Sequence, residues 1–395
     1  MSRLLITLRT SSVRLGFAIG ARRPVRPLIV LATSHTERID GNLAWIRDVL
    51  AARTPPPSVG VLAFRHRGGL GRVAALWHAV RSGYLLATAR VVVVDDYFFP
   101  MYVIRPRPGT RRIQVWHAAG AFKKFGYSVL DKSFGATEET IARVPIHANY
   151  DLCLVSSAAA APHYAEAFRL PVSLFTARLG IPRTDLFFDA ERRARAIERV
   201  RDLYRLPAGR RVILHAPTFR GPSVIAARDP GLLDLRVMHE LLGDDHVLVL
   251  RMHPFVRDRA PLPAGLEGFV VDASDHPDMN ELLLVADMLV TDYSSVVFEF
   301  ALLGRPMAFV APDLAEYERE RGFYFDYRTG VPGPVFDTTR ELAAWIRAGT
   351  FDPGQVEAFA RTWFEVADGR ATARLVEDVL LPAADGQWPA LTGGA

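Results

Sequence analysis

The residues Asp292-Tyr293-Ser294-Ser295 stand where an apolar run, Asp287–Thr291, gives way to the helix-like VVFEFALLG. Paired serines at such a turn put two hydroxyls and several free backbone N–H groups at a helix N-terminus, a ready anion site. Asp and Ser are also favoured as plain helix caps, so the turn by itself leaves both readings open. Glu299 follows Ser295 by one helical turn and shares its face. A carboxylate there can accept both hydroxyls of a ribose. His215-Ala216-Pro217-Thr218-Phe219-Arg220 follows another strand and ends in an arginine suited to bidentate phosphate binding. Arg251-Met252-His253-Pro254 follows a third and offers a second arginine and an imidazole, with the proline fixing the turn that presents the ring. Three strand ends in one half of the chain thus present phosphate-binding groups.

In the other half, Gln114-Val115-Trp116-His117 reads as a strand ending in histidine, followed by Ala118-Ala119-Gly120-Ala121-Phe122-Lys123-Lys124. An imidazole titrates near neutral pH, which suits His117 to general-base work. Gly68-Gly69-Leu70-Gly71, flanked by Arg65, Arg67 and Arg72, lacks the G-x-G-x-x-G spacing of a dinucleotide loop and reads as a turn. The single cysteine, Cys153, excludes an internal disulfide and a Cys-based zinc site; in DLCLVSS it reads as a small buried hydrophobe. No carboxylate cluster of metal-binding type stands out, so neither a metal nor a cofactor is expected.

The elements that must position these groups alternate from end to end. Strands are expected at Leu28–Ala32, Val59–Phe64, Val91–Asp95, Ile113–Trp116 and Leu152–Val155, then at Val212–His215, Val247–Arg251, Phe269–Val271, Met288–Thr291 and Met307–Val310. Helices are expected between them, for example Arg192–Tyr204, Leu232–Leu242 and Ser294–Leu303. Near-continuous apolar strands separated by helices imply parallel sheets covered on both faces, and two such sets imply an α/β chain of two Rossmann-like domains. The expected division is a basic N-terminal segment at 1–27, a first domain at 28–185, a linker helix at 186–209, a second domain at 210–380 and a tail at 381–395.

The chain has 395 residues, half of them hydrophobic, with a formal net charge of +5. Only Lys123, Lys124 and Lys132 are lysine among 48 basic residues, which reads as a coding bias rather than a nucleic-acid footprint. A basic surface suits phosphates or acidic lipids. No apolar stretch is expected to reach the roughly 18–20 uncharged residues that span a bilayer. Arg3, Arg9, Arg14, Arg22, Arg23 and Arg26 interrupt the start of the chain, while Leu4, Leu8, Leu15 and Ile19 share one helical face. An interfacial helix and a solvated terminus both fit that pattern.

VVVVDDYFFP, QVWHAAGAFKKFGYS, LGIPRTD, ILHAPTFRG, RMHP, VTDYSSVVFEFALLGRPMAF, ERGFYFDY and DGRATARLVEDVL, in that order, resemble the CDP-glycerol glycerophosphotransferase family, which primes and polymerises wall teichoic acid. The resemblance implies a GT-B fold, with two sheets facing a cleft and a CDP-alcohol donor on the C-terminal domain. It implies His117 as general base and His253 at the donor diphosphate, both catalytic. Ser294 and Ser295 would bind phosphates, assisted by Arg220, and Glu299 would hold the ribose. Thr218, Arg251 and Asp292 complete the implied substrate set. The implied reaction transfers glycerol phosphate from CDP-glycerol to a lipid-linked acceptor and releases CMP, at the cytoplasmic face of an anionic membrane surface. CDP-ribitol as donor, a GT-B glycosyltransferase or epimerase, and a non-catalytic subunit of a polymer-export complex are the alternatives. Homo-oligomerisation stays open. Many members read W-H-G-T-P where this chain has Trp116-His117-Ala118-Ala119-Gly120, a variant resembling one branch of the family, and the ribose carboxylate is often Asp rather than Glu. The short length is closer to a primase than to a polymerase.

Overall fold

The apolar runs become two wholly parallel sheets of six strands each among the described residues of the computed structural model. The structure describes residues 3–34, 36–64, 71–130, 132, 138–221 and 226–388; Arg65–Leu70 of the glycine-rich stretch lie outside them. The chain divides into two units. The first comprises Met1–His117, Ala136–Asp185 and Phe364–Ala395, and the second Ala118–Gly135 and Leu186–Trp363.

In the first unit the strands are β1 (Arg26–Thr33), β2 (Ser58–Ala63), β3 (Ala89–Val94), β4 (Arg111–Gln114), β5 (Leu152–Leu154) and β6 (Phe175–Thr176), in spatial order β2-β1-β3-β4-β5-β6. Val91, Val93 and Val94 of β3 and Ile29, Val30 and Leu31 of β1 are fully buried, as expected of a sheet covered on both faces. In the second unit β7 (Arg211–His215), β8 (His246–Leu250), β9 (Val270–Asp272), β10 (Met288–Thr291), β11 (Met307–Val310) and β12 (Val335–Phe336) run in the order β12-β11-β10-β7-β8-β9. The edge strands β6 and β12, two residues each, carry too little pattern to be read from sequence. Helix Leu235–Leu242 begins three residues later than expected, because Asp234 accepts hydrogen bonds from the Arg236 and Val237 N–H groups and caps it there.

The division differs from that expected along the sequence. Residues 364–395 complete the first unit: both carboxylate oxygens of buried Asp185 accept from the Ala371 and Thr372 N–H groups at 2.9 and 2.8 Å. The expected linker helix, observed as Ala190–Tyr204, belongs to the second unit, where it buries Ala196 and Val200 and pairs Arg199 with Glu281.

The N-terminal segment is not separate from the first unit. Helix α1 (Arg3–Ala21) precedes α2 (Gly41–Ala51) and packs along α3 (Gly71–Thr88). Their backbones meet where side chains are absent: a Cβ at Gly16 would lie 1.9 Å from the Val80 carbonyl oxygen, and one at Gly83 1.9 Å from that of Val13. Leu4–Ala21 is long and apolar enough to cross a membrane by length and composition, contrary to the expectation that no stretch reaches that length. Here it is fastened to its unit: Val13 is buried, the Arg9 guanidinium lies 4.4 Å from the Phe99 ring centroid, and Arg14 Nε donates to the Val103 carbonyl at 3.0 Å.

Candidate active site

Strand order fixes where a ligand belongs on the second sheet. The chain runs outward from β7 through β8 to β9, then returns to β10 on the other side of β7 and continues to β11 and β12. The carboxyl edge between β7 and β10 is therefore the topological switch point, where open α/β sheets bind their ligands. The residues after those two strands meet there. Asp292, fully buried at the end of β10, accepts from the Thr218 N–H at 2.8 Å, the Thr218 hydroxyl at 2.9 Å and Arg220 Nη1 at 2.9 Å. Arg220 also donates from Nε and Nη2 to the two oxygens of Asp313, at 2.6 and 3.1 Å. Burial alone would lower the guanidinium's pKa, but Asp313 and Asp292 hold it above its ordinary value. Tyr293 donates to Asp313 at 2.9 Å, and Tyr327 donates to the Asp292 carbonyl at 2.7 Å. Arg220 thus organises the floor of the site, its guanidinium engaged by two carboxylates and Thr218. Asp313 follows β11 and is the member of this network that the sequence reading missed; the rule that picked out the other strand ends applies to it as well.

The remaining expected residues lie on the same edge. Ser294 and Ser295 are half-buried, and Ser295 is the N-cap of helix Val296–Ala301 without a side-chain capping bond. Glu299 is buried one turn on. Beyond β8, Arg251 Nη1 donates to the Met252 and Ser274 carbonyls, tying the loops after β8 and β9 together. His253 Nδ1 accepts from the Phe255 N–H at 3.2 Å, which leaves the neutral ring's proton on Nε2 and makes that nitrogen a donor.

The segment 118–135 belongs to this unit. A Cβ at Gly120 would fall 2.2 Å from the Phe298 ring, so only glycine fits against that helix. Phe122 is buried beside Phe298, Phe325 and Phe359, with ring centroids 4.6 to 6.0 Å away. Its carbonyl accepts from the Tyr324 N–H, and Lys124 N–H donates to the Gly322 carbonyl, each at 3.0 Å.

In the first unit His117 lies just past β4, half-exposed and stacked on Trp116 with ring centroids 4.5 Å apart. The expected strand to Trp116 stops at Gln114 because Trp116 takes the left-handed region, φ 49°. That strained turn is held from both sides. Gln114 Oε1 accepts the Trp116 N–H at 2.8 Å, and Asn42 of α2 donates to the Val115 and Trp116 carbonyls at 3.1 and 2.7 Å. His117 Nδ1 faces the Asp95 carbonyl at 3.3 Å and an Asp96 carboxylate oxygen at 3.7 Å. A carbonyl only accepts, so Nδ1 carries the proton and Nε2 keeps its lone pair, the opposite tautomer to His253. Asp96 follows β3, the neighbour of β4, and its carboxylate is placed to stabilise an imidazolium if Nε2 takes a proton. Asp96→Asn is expected to lower turnover about tenfold with donor affinity unchanged; comparing kcat and donor dissociation constants checks this, and equal kcat removes Asp96 from the reaction.

Two Rossmann-like units, each built on a wholly parallel sheet of six strands among the described residues, give the chain a GT-B-like fold. Residues 21–381 match the family described as CDP-Glycerol:Poly(glycerophosphate) glycerophosphotransferase, and the chain belongs to that family. It is 39% identical over 354 residues to the teichoic acid ribitol-phosphate primase of Bacillus spizizenii, spanning 88% of this chain and 90% of that protein. To the teichoic acid glycerol-phosphate primase of the same organism it is 30% identical over 353 residues, spanning 89% and 85%. The solved structure of the wall teichoic acid polymerase TagF shares the fold, with a TM-score of 0.77, 22% identity, and 95% and 94% of the two chains covered. This is an enzyme of the CDP-alcohol phosphotransferase kind, in a family of teichoic acid synthesis.

Proposed function

We propose that the chain is a primase-type transferase that moves one alditol phosphate from a CDP-alditol to a hydroxyl of a lipid-linked acceptor and releases CMP. The observation that carries this reading is the switch point between β7 and β10, where Thr218, Arg220, Asp292, Ser294 and Ser295 converge within a family that uses CDP-alcohols. His117 Nε2 takes the proton of the acceptor hydroxyl. The oxygen then attacks the phosphorus bearing the alditol, and the bond from that phosphorus to the CMP oxygen breaks. His253 donates from Nε2 to the leaving phosphate, and no metal ion takes part.

Ribitol is the alditol this reading favours, since identity to the ribitol-phosphate primase is 39% against 30% for the glycerol-phosphate primase at similar coverage. Glycerol is the second reading, supported by the family's description, which names CDP-glycerol. CMP release measured with CDP-ribitol, CDP-glycerol and UDP-sugars decides between them. The expected order is CDP-ribitol above CDP-glycerol with UDP-sugars inert, and turnover survives EDTA. Turnover with a UDP-sugar alone would overturn the whole reading.

The membrane contact falls on α1 and α3. Leu4, Leu8, Leu15 and Ile19 of α1 are exposed, as are Val73 and Trp77 of α3, the last at 71%. Apolar side chains on a surface helix with arginines alongside suit the interface of an anionic bilayer on the cytoplasmic side. Because α1 covers α3, deleting it would uncover an apolar face; substitution is the cleaner test. Leu8→Glu with Trp77→Glu is expected to abolish co-sedimentation with anionic vesicles while leaving the melting temperature unchanged. Full sedimentation of that variant would place the contact elsewhere.

A further inference from the structure

Arginine fills nearly every basic position of this chain, so the positions that remain lysine mark places where the two are not interchangeable. All three gather at one point of the second unit. Lys123 pairs across a β-bridge with Phe323. The side chains of Lys124 and Lys132 flank the neighbouring Gly322, with Lys124 Cδ 3.2 Å and Lys132 Cε 3.3 Å from where a Cβ would stand. Gly120 against Phe298, Phe122 in its aromatic pocket and the backbone bonds to 322 and 324 fix this segment in place. A guanidinium is a broad planar fork, whereas an ammonium is a compact point charge that fits a narrow site and binds phosphate without demanding a plane.

We propose that Lys123, with Lys124 and Lys132 beside it, is a phosphate-binding edge of the switch-point site, and that Lys123 contacts a phosphate of the nucleotide donor. This rests on the donor reading above and adds a further cation to the site: Arg220 is engaged by Asp292 and Asp313, and among the described residues neither of those carboxylates forms an ion pair with Lys123. The charged groups that face Lys123 are Asp292 beyond β10, Arg220 beyond β7 and Arg321 at the end of helix Leu314–Arg321, with Lys124 and Lys132 on its own segment. Burial is the main influence on its ammonium; Asp292 opposes it, Arg321 and Arg220 reinforce it, and the pKa falls to about 8. An anion arriving beside this group meets a desolvated, already positive neighbourhood.

The sign of the pH effect follows. The charged lysine binds the phosphate, so affinity is full below pH 8 and declines as the pH rises through that value. The probe is CDP, titrated by calorimetry into the full chain from pH 7.5 to 9.5, above the second ionisation of its terminal phosphate. Parent protein is expected to lose about tenfold in affinity across that range. Lys123→Met should bind CDP at least tenfold more weakly at pH 7.5, at an unchanged melting temperature. Lys123→Arg keeps a charge that does not titrate, so its affinity, whatever its level, should be flat with pH. Parent-like affinity in Lys123→Met, or a parent-like alkaline decline in Lys123→Arg, overturns the lysine assignment while leaving the donor reading standing. Failure of the parent itself to bind CDP removes both.

Discussion

His117→Ala is expected to lower turnover by 10²–10⁴-fold, the usual contribution of a general base, and to leave CDP-alditol affinity close to that of the parent. The separation follows from where the proton goes. In the proposed mechanism His117 acts on the acceptor hydroxyl, so the ground-state donor does not depend on it. His117 is half-exposed, and its loss opens no cavity in the core. If the histidine only terminated β4, stability and activity would fall together, with turnover per folded molecule unchanged. Melting temperature, donor affinity and kcat from one preparation separate the two, and normal kcat in folded His117→Ala would remove the general-base assignment.

Arg220→Met is expected to cost about 3–5 kcal/mol of stability, the range found when one partner of a buried ion pair is removed. The Asp292 side chain is wholly buried and that of Arg220 is 11% exposed, so the uncompensated carboxylate cannot reach water. Asp313, itself held below the usual carboxylate range by Arg220 despite the opposing effect of burial, would lose the same partner. Urea unfolding measures the loss. The double variant Arg220→Met/Asp292→Asn should lose less than the sum of its single variants, because the second change neutralises the charge stranded by the first. A fully additive result, or a cost under about 1 kcal/mol, would mean that the network is solvated and organises nothing.

Much of this was readable along the chain, for a definite reason. His117, Thr218, Arg220, His253, Asp292 and Ser294 each follow an apolar run, and parallel sheets gather their functional groups at strand ends. Strand identity therefore carried the position of the candidate residues. What Arg220 does with its donors was not readable, because its second carboxylate, Asp313, is 93 positions away and is placed by β11. The tautomers of His117 and His253 were hidden for a similar reason: each is set by a main-chain group, the Asp95 carbonyl or the Phe255 N–H, which any residue supplies. The allegiance of 118–135 was beyond a linear reading altogether. Its sequence lies between two strands of the first sheet, but the aromatic pocket that takes Phe122 is built from residues 298–359.

The path of the chain between the units has a consequence for how the protein is made. It passes from one unit to the other at 117/118, 135/136, 185/186 and 363/364. Domains commonly fold in the order in which the ribosome delivers them. Here the first sheet is synthesised early but waits for residues 364–395, which supply the N–H partners of buried Asp185 and the helix Leu381–Ala384 that lies against β1 and β3. The second unit, by contrast, has all its strands and its borrowed segment once Trp363 has emerged. A nascent chain therefore completes the later half before the earlier one. A chain cut between Trp363 and Ala371 would join a finished second unit to a first unit that lacks the N–H partners of Asp185 and the helix lying against β1 and β3, the kind of product that chaperones and proteases recognise.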